Sequence, residues 1–173
     1  AGHFKTELGI KFDDLKEAWI KVKDALPMDD QSGIIIQEFI PGDYSGVIFI
    51  DLELKKASIN ALDGICKSVV EGWDCEQYYY SDWKLENKYV KNSYDCLAFV
   101  NNEIIKKTVN SSLRKEYLKK VVKESIKIAK HFKAPQDIEW TFKNNKLYIL
   151  QSRPISRSIW THSNNNMLFD SAN

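Results

Sequence analysis

Arginine is scarce in this 173-residue chain: of 25 basic residues, only Arg114, Arg153 and Arg157 carry a guanidinium. Charge of one sign is not in excess either. Basic and acidic residues number 25 and 24 and give a net charge of +1. A surface built for nucleic acid would show a lopsided balance or a basic block, so that class is excluded. Cysteine is limited to Cys66, Cys75 and Cys96, an odd number with no CxxC spacing. Neither a disulfide framework nor a zinc site is expected, and the three read as reduced thiols of a cytoplasmic protein. No apolar run approaches the ~18 residues of a membrane span, so no membrane partner is expected. The N-terminus, Ala1-Gly2-His3-Phe4, has no initiator Met and no signal-peptide pattern, so the chain is expected to be a piece that begins mid-domain. What is present is ordinary for a globular domain, at 43% hydrophobic and 28% charged residues.

Residues 13–26 read as an amphipathic helix, with Leu15, Ala18, Trp19, Val22 and Leu26 at helical spacing. Asp14 and Glu17 fit a capping box and Pro27 ends the segment. Ile34 to Ile40 reads as a β-branched strand, broken by Pro41-Gly42-Asp43, with Ser45–Leu52 as its hairpin partner. Several short strands follow between Ser58 and Val100, one of them carrying Tyr78-Tyr79-Tyr80. Residues 113–132 form the longest predicted helix, lined on one side by Leu118, Val121, Val122, Ser125, Ala129 and Phe132. After Pro154 the composition turns polar and Asn-rich, so residues 156–173 are expected to be a linker. The fold class expected is α+β, a mostly antiparallel sheet with packed helices.

Chemistry concentrates in the last hairpin, Asp137–Phe142 and Leu147–Arg153. Side chains alternate faces along a strand. Ile138, Trp140 and Phe142 therefore share one face, and Asp137, Glu139 and Thr141 the other. A three-residue loop, Asn144-Asn145-Lys146, is predicted, because it pairs Glu139 with Gln151 and Asp137 with Arg153. A two-residue turn would put Glu139 opposite Leu150. Trp140, Phe142, Tyr148 and Leu150 are the expected core. Two carboxylates, an amide oxygen and a guanidinium would then converge. Hard oxygen donors suit Mg²⁺, and a neighbouring guanidinium suits a phosphate. The same pattern also describes a solvated hairpin with an Asp137–Arg153 surface ion pair, and spacing alone leaves both open.

Three stretches together resemble a known family. Pro135-Gln136-Asp137-Ile138-Glu139-Trp140, followed by Leu147-Tyr148-Ile149-Leu150-Gln151-Ser152-Arg153-Pro154-Ile155, resembles the end of a nucleotide-binding domain. It is the ATP-grasp domain of the phosphoenolpyruvate synthase and pyruvate phosphate dikinase family, which includes rifampin phosphotransferases. Ala1–Gly9 is similar to its AGQ-x-E-T-x-L stretch, and Gln37-Glu38-Phe39-Ile40 with Ser45-Gly46-Val47 to its VVQ…SGV hairpin. The resemblance spans residues 1–155.

It implies the C-terminal lobe of an ATP-grasp fold, with ATP and Mg²⁺ as cofactors. Glu139 and Gln151 would hold the metal, Arg153 the phosphates, and Asp137 would support them. Gln37, Glu38, Phe39 and Ile40 would form the hinge that pairs with the adenine edge. The implied activity is transfer of phosphate from ATP, through a phosphohistidine on another domain, to an acceptor such as pyruvate. The first lobe and the phosphohistidine domain would be supplied by the same protein outside these residues, so the isolated chain is expected to be inactive and to pair through its exposed lobe surface. None of His3, His131 and His162 matches the phosphohistidine. The family's GLGE-x-VV-x-G loop reads Gly64-Ile65-Cys66-Lys67-Ser68-Val69-Val70-Glu71-Gly72 here, with Lys67 in place of an acid. That departure supports an alternative, a catalytically degenerate nucleotide-binding or scaffold module.

Overall fold

Short turns bring the chain back on itself, and six strands assemble into one antiparallel sheet. The computed structural model describes residues 5–27, 33–110 and 114–155. In chain order the elements are α1 (Leu15–Lys23), β1 (Tyr44–Asp51), β2 (Lys56–Asp63), α2 (Lys67–Val70), β3 (Glu76–Ser81) and β4 (Lys84–Tyr89). They continue with β5 (Ser93–Val100), β6 (Glu103–Asn110), α3 (Lys115–Phe132), β7 (Gln136–Lys143) and β8 (Lys146–Pro154). The large sheet has the order β4-β3-β2-β1-β7-β8, and β5-β6 form a separate ribbon. Every pairing is antiparallel, which is the expected α+β arrangement. The predicted linker, 156–173, lies outside the described residues, as do His3 and His162.

Three hairpins turn on two residues that both have left-handed φ: Asp82-Trp83, Asn101-Asn102 and Asn144-Asn145. Such turns match the twist of the strands they join, and Asn tolerates the conformation. The β1–β2 connection is longer and is braced by Asp51, whose Oδ1 accepts the backbone N–H groups of Glu53 (2.9 Å) and Leu54 (3.0 Å).

The sheet divides two cores. On one face Ile48, Ile50, Ile59, Tyr78, Ile138 and Phe142 pack against Leu118, Val121, Val122 and Ala129 of α3. On the other, Val47 and Leu62 meet Val69 of α2, and Cys75, Tyr94 and Cys96 from β5 and the approach to β3. Each buried Val, Leu, Ile or Phe contributes about 1.5–3 kcal/mol, so these two cores outweigh the surface ion pairs.

Five sequence expectations change. Ile34–Ile40 is not a strand, and β1 pairs with β2 instead. The reason is topological: β1 already has β2 on one edge and β7 on the other, leaving no edge free. Asp14 makes no side-chain cap, because a 3₁₀ turn at Phe12–Asp14 leads directly into α1 and Asp14 N–H bonds to Lys11 O at 3.1 Å. Phe132 is 53% exposed, in the last turn of α3, where it sits edge-on to His131. The β7–β8 connection is a two-residue turn that pairs Lys143 with Lys146, not a three-residue loop. A β-bulge compensates. Trp140 pairs with Ile149 and Glu139 with Gln151, so Leu150 is the extra residue. Trp140 and Phe142 are fully buried as expected, whereas Tyr148 and Leu150 are only half-buried on the edge strand.

Gly46 is where the core tolerates least. A Cβ there would lie 2.2 Å from Asn60 O and 2.6 Å from Trp140 Cζ2. Gly46→Ala is expected to cost about 1–3 kcal/mol, read as a lowered urea midpoint with an unchanged slope.

Candidate functional site

The four polar residues of the last hairpin meet as the sequence predicts. Asp137 stands opposite Arg153 and Glu139 opposite Gln151, on the face away from α3. The bulge at Leu150 produces this register, because without it the two-residue turn would bring Leu150 opposite Glu139. β7 lies one strand in from the edge, so its carboxylates have unequal flanks. On the β1 side Asp137 is opposite Phe49 and Glu139 opposite Val47. On the other side is β8, an edge strand, where Gln151 and Arg153 are exposed.

Asp137 is the anchor. Its side chain is nearly buried, and its Oδ2 accepts from Arg153 Nε at 2.8 Å and Nη2 at 2.6 Å. Two donors on a buried acceptor fix the guanidinium, while the rest of its fork faces solvent. Asp137 Oδ1 is buried and has no hydrogen-bond partner. Burial raises the Glu139 carboxyl above the ordinary range, the charge of Asp137 raises it further, and Arg153 opposes both. The site therefore holds more negative charge than Arg153 balances.

A loop closes the site from behind. Ser45 Oγ donates to Gly64 O at 2.5 Å and lies 2.6 Å from Thr141 Oγ1, so the strand that carries Glu139 is tied to the Gly64 turn. Cys66 Sγ donates to Gly46 O at 3.4 Å, and burial together with nearby Glu139 pushes its thiol far above the ordinary value. It is not a nucleophile. Lys67 turns outward to Glu71 at 3.6 Å on an exposed surface. The resemblance singles out this loop, but residue spacing alone does not place it beside Glu139. The signal available was Thr141, which shares a face with Asp137 and Glu139.

Gln37, Glu38, Phe39 and Ile40 are not gathered with these four. Phe39 packs edge-on against Phe99 of β5, with ring centroids 5.0 Å apart, while Gln37 and Glu38 are exposed. Among the described residues, no hydrogen bond, ion pair or ring contact joins this segment to Asp137, Glu139, Gln151 or Arg153.

Two carboxylates and an amide give three oxygen donors, and the buried, unpartnered Asp137 Oδ1 together with the raised Glu139 marks a shortage of positive charge. This donor set fits Mg²⁺, which accepts a few protein oxygens and completes its shell with water and phosphate. Among the described residues, no cluster of three or more His, Cys, Asp or Glu forms a metal cage.

Comparison with protein families matches residues 18–170 to the pyruvate phosphate dikinase AMP/ATP-binding domain. The chain belongs to this family. Among curated proteins it is similar to a probable phosphoenolpyruvate synthase of Archaeoglobus fulgidus, 28% identical over 74% of this chain and 19% of that protein. It is also similar to a probable phosphoenolpyruvate synthase of Pyrococcus horikoshii (30% identical) and the phosphoenolpyruvate synthase of Pyrococcus furiosus (29%). Each match covers 70% of this chain and 18% of the relative. The chain thus spans about a fifth of the length of these relatives. No helix among the described residues is long and apolar enough to cross a membrane.

Because the folded state raises the Glu139 pKa, this group's contribution to stability is present below the ordinary carboxylate range and is lost as pH climbs through the raised value. In metal-free buffer, Glu139→Gln is expected to remove that decline and to exceed wild type in stability above the window. Urea midpoints measured across pH would show it, and parallel profiles for the two proteins would contradict it.

Proposed function

We propose that this chain is the C-terminal lobe of an ATP-grasp domain and binds Mg²⁺ and the phosphates of ATP within a phosphotransferase. The observation that carries this reading is the arrangement of Asp137, Glu139, Gln151 and Arg153 on one sheet face, in a chain of the AMP/ATP-binding family. Glu139 and Gln151 would hold the metal. When bound, Mg²⁺ would neutralise the phosphate oxygens. Arg153, held by Asp137, would direct its remaining N–H donors at the β- and γ-phosphates. Asp137 acts through Arg153 as a positioning residue, and its free Oδ1 faces the same charge deficit. Chemistry of this kind needs positioning and charge balance more than a nucleophile.

In this reading residues 1–155 belong to the nucleotide-binding domain and 156–173 lead away from it. A first lobe completes the cleft, and phosphate passes through a histidine of another domain to an acceptor such as pyruvate. The segment Gln37–Ile40 is assigned to the adenine edge. Its backbone belongs to no strand ladder, which leaves N–H and C=O groups for a base. A second reading, a degenerate binding or scaffold module, has one observation in its favour. Lys67 replaces the family's acid and pairs with Glu71 rather than facing Glu139.

Calorimetric titration of the chain with Mg²⁺ and a non-hydrolysable ATP analogue tests the site. Wild type is expected to bind weakly, and Glu139→Ala and Arg153→Ala to weaken binding at least about tenfold, the scale of one lost charge-assisted contact. Wild-type affinity in both variants would overturn the assignment. Turnover gained only on the double change Cys66→Gly and Lys67→Glu, in the protein with its other domains, would favour the degenerate module.

A further inference from the structure

A concave feature lies on the face of the sheet opposite the carboxylates. It is a cavity of about 330 Å³ on the shoulder of α3, floored by Tyr80, Val122 and Ile126 and overhung by Trp83. α3 has its backbone neighbours in β1, β7 and β8, and beyond them its flank meets the β3–β4 hairpin through side chains alone, Tyr78, Tyr80 and Trp83 among them. An enclosed cavity of about 150 Å³ takes up benzene, so this one has room for a flat ring together with a polar group.

Two independent features distinguish the cavity from a packing defect. The first is the turn that carries the overhanging ring. Among the described residues, two of the three two-residue hairpin turns are Asn-Asn, while the third is Asp82-Trp83, with Trp83 at φ +61°. A bulky residue is uncommon in that region, where Asn or Gly is the ordinary choice. This turn keeps an indole at the cavity, packed at the margin of the α3 core, at the expense of backbone comfort. The second is the rim. Lys119, Lys123 and Lys127 recur every four residues along the side of α3 that lines the cavity. The outer two are matched within the helix, Lys119 to Glu116 at 2.9 Å and Lys127 to Glu124 at 2.8 Å. The middle one, Lys123, pairs with no carboxylate among the described residues, and its helical neighbours four residues away on either side are both lysines. Asp82, the acid nearest the overhang in sequence, is engaged by Lys55.

We propose that this cavity is a binding site for a small anion with a flat apolar body, the ring lying against Trp83 and Tyr80 and the anionic group meeting Lys123. The site is separate from the carboxylate cluster and does not rest on the nucleotide reading. Its chemistry asks for both halves of the ligand, since the floor is apolar and the rim cationic.

Phenyl phosphate is the probe, with inorganic phosphate and benzyl alcohol as its separate halves. The readout is the Trp83 indole N–H resonance, assigned by its loss in Trp83→Asn, a change that installs the residue used in the other two turns; because Trp83 also packs on the α3 core, Trp83→Phe serves as a second variant that keeps a ring there. Phenyl phosphate is expected to shift that resonance saturably with millimolar affinity, and each half-probe to bind about tenfold more weakly. Lys123→Gln should weaken the whole probe about fivefold. In Trp83→Asn the saturable response of the Lys123 amide should disappear. The proposal is overturned by no saturable shift up to about 10 mM probe, by inorganic phosphate matching the whole probe (an adventitious ion only), or by wild-type affinity in Lys123→Gln.

Discussion

One extra residue in the edge strand β8 decides what the site can be. A two-residue Asn144-Asn145 turn sets the first pairs of β7 and β8 in one register, and the bulge at Leu150 moves the remainder by one. A one-residue slip in a sheet exchanges faces. Past the bulge, Gln151 and Arg153 stand opposite Glu139 and Asp137, while Ile138, Trp140 and Phe142 keep their places in the core beneath α3. The other edge strand, β4, has a register shift of the same kind, with Tyr79 opposite Asn87 and Tyr80 opposite Leu85. Bulges on both edges, with exposed lysines beside them, discourage edge-to-edge pairing of sheets. On β8 the same device also aims two polar side chains.

Burial then gives the register its electrostatic meaning. Phe49 and Val47 dry one side of the carboxylates, and the outer side is open along the edge strand. Asp137 is paired through one oxygen with Arg153 and its second oxygen has no partner, while burial and Asp137 outweigh Arg153 at Glu139. A carboxylate pair held in this condition without a resident cation is a costly arrangement for a purely structural hairpin. It is a reasonable one for a surface that receives a divalent ion and phosphates. Membership in the AMP/ATP-binding family and the geometry therefore point the same way.

The sequence was most legible where side-chain periodicity had one possible partner surface. Leu118, Val121, Val122, Ser125 and Ala129 of α3 repeat at helical spacing over one sheet and are buried as expected. The pairs Asp137–Arg153 and Glu139–Gln151 were legible because apolar and polar residues alternate cleanly along β7, although β8 runs apolar from Leu147 to Leu150 before its polar residues begin. The route to that register was not. The turn and the bulge add to the same offset as a three-residue loop, and no local pattern at Leu150 tells the two apart. Ile34–Ile40 shows a different limit. Its β-branched run favours a strand, but strand formation needs a free edge, and β1 has none to offer. Topology overrode propensity there, and with it the expected adenine hinge became an irregular segment whose Phe39 rests on Phe99.

The most direct test is paramagnetic. Mn²⁺ would replace Mg²⁺ in the presence of a non-hydrolysable ATP analogue, and amide resonances would be followed at substoichiometric metal. The account predicts the strongest broadening at Asp137, Glu139 and Gln151, including the Gln151 side-chain amide, with the α3 amides around Lys123 broadened less because they lie on the opposite face of the sheet, farther from the metal. Broadening centred elsewhere, for example on the Asp43, Asp63 and Glu76 carboxylates, with sharp signals at Glu139 and Gln151, would contradict it.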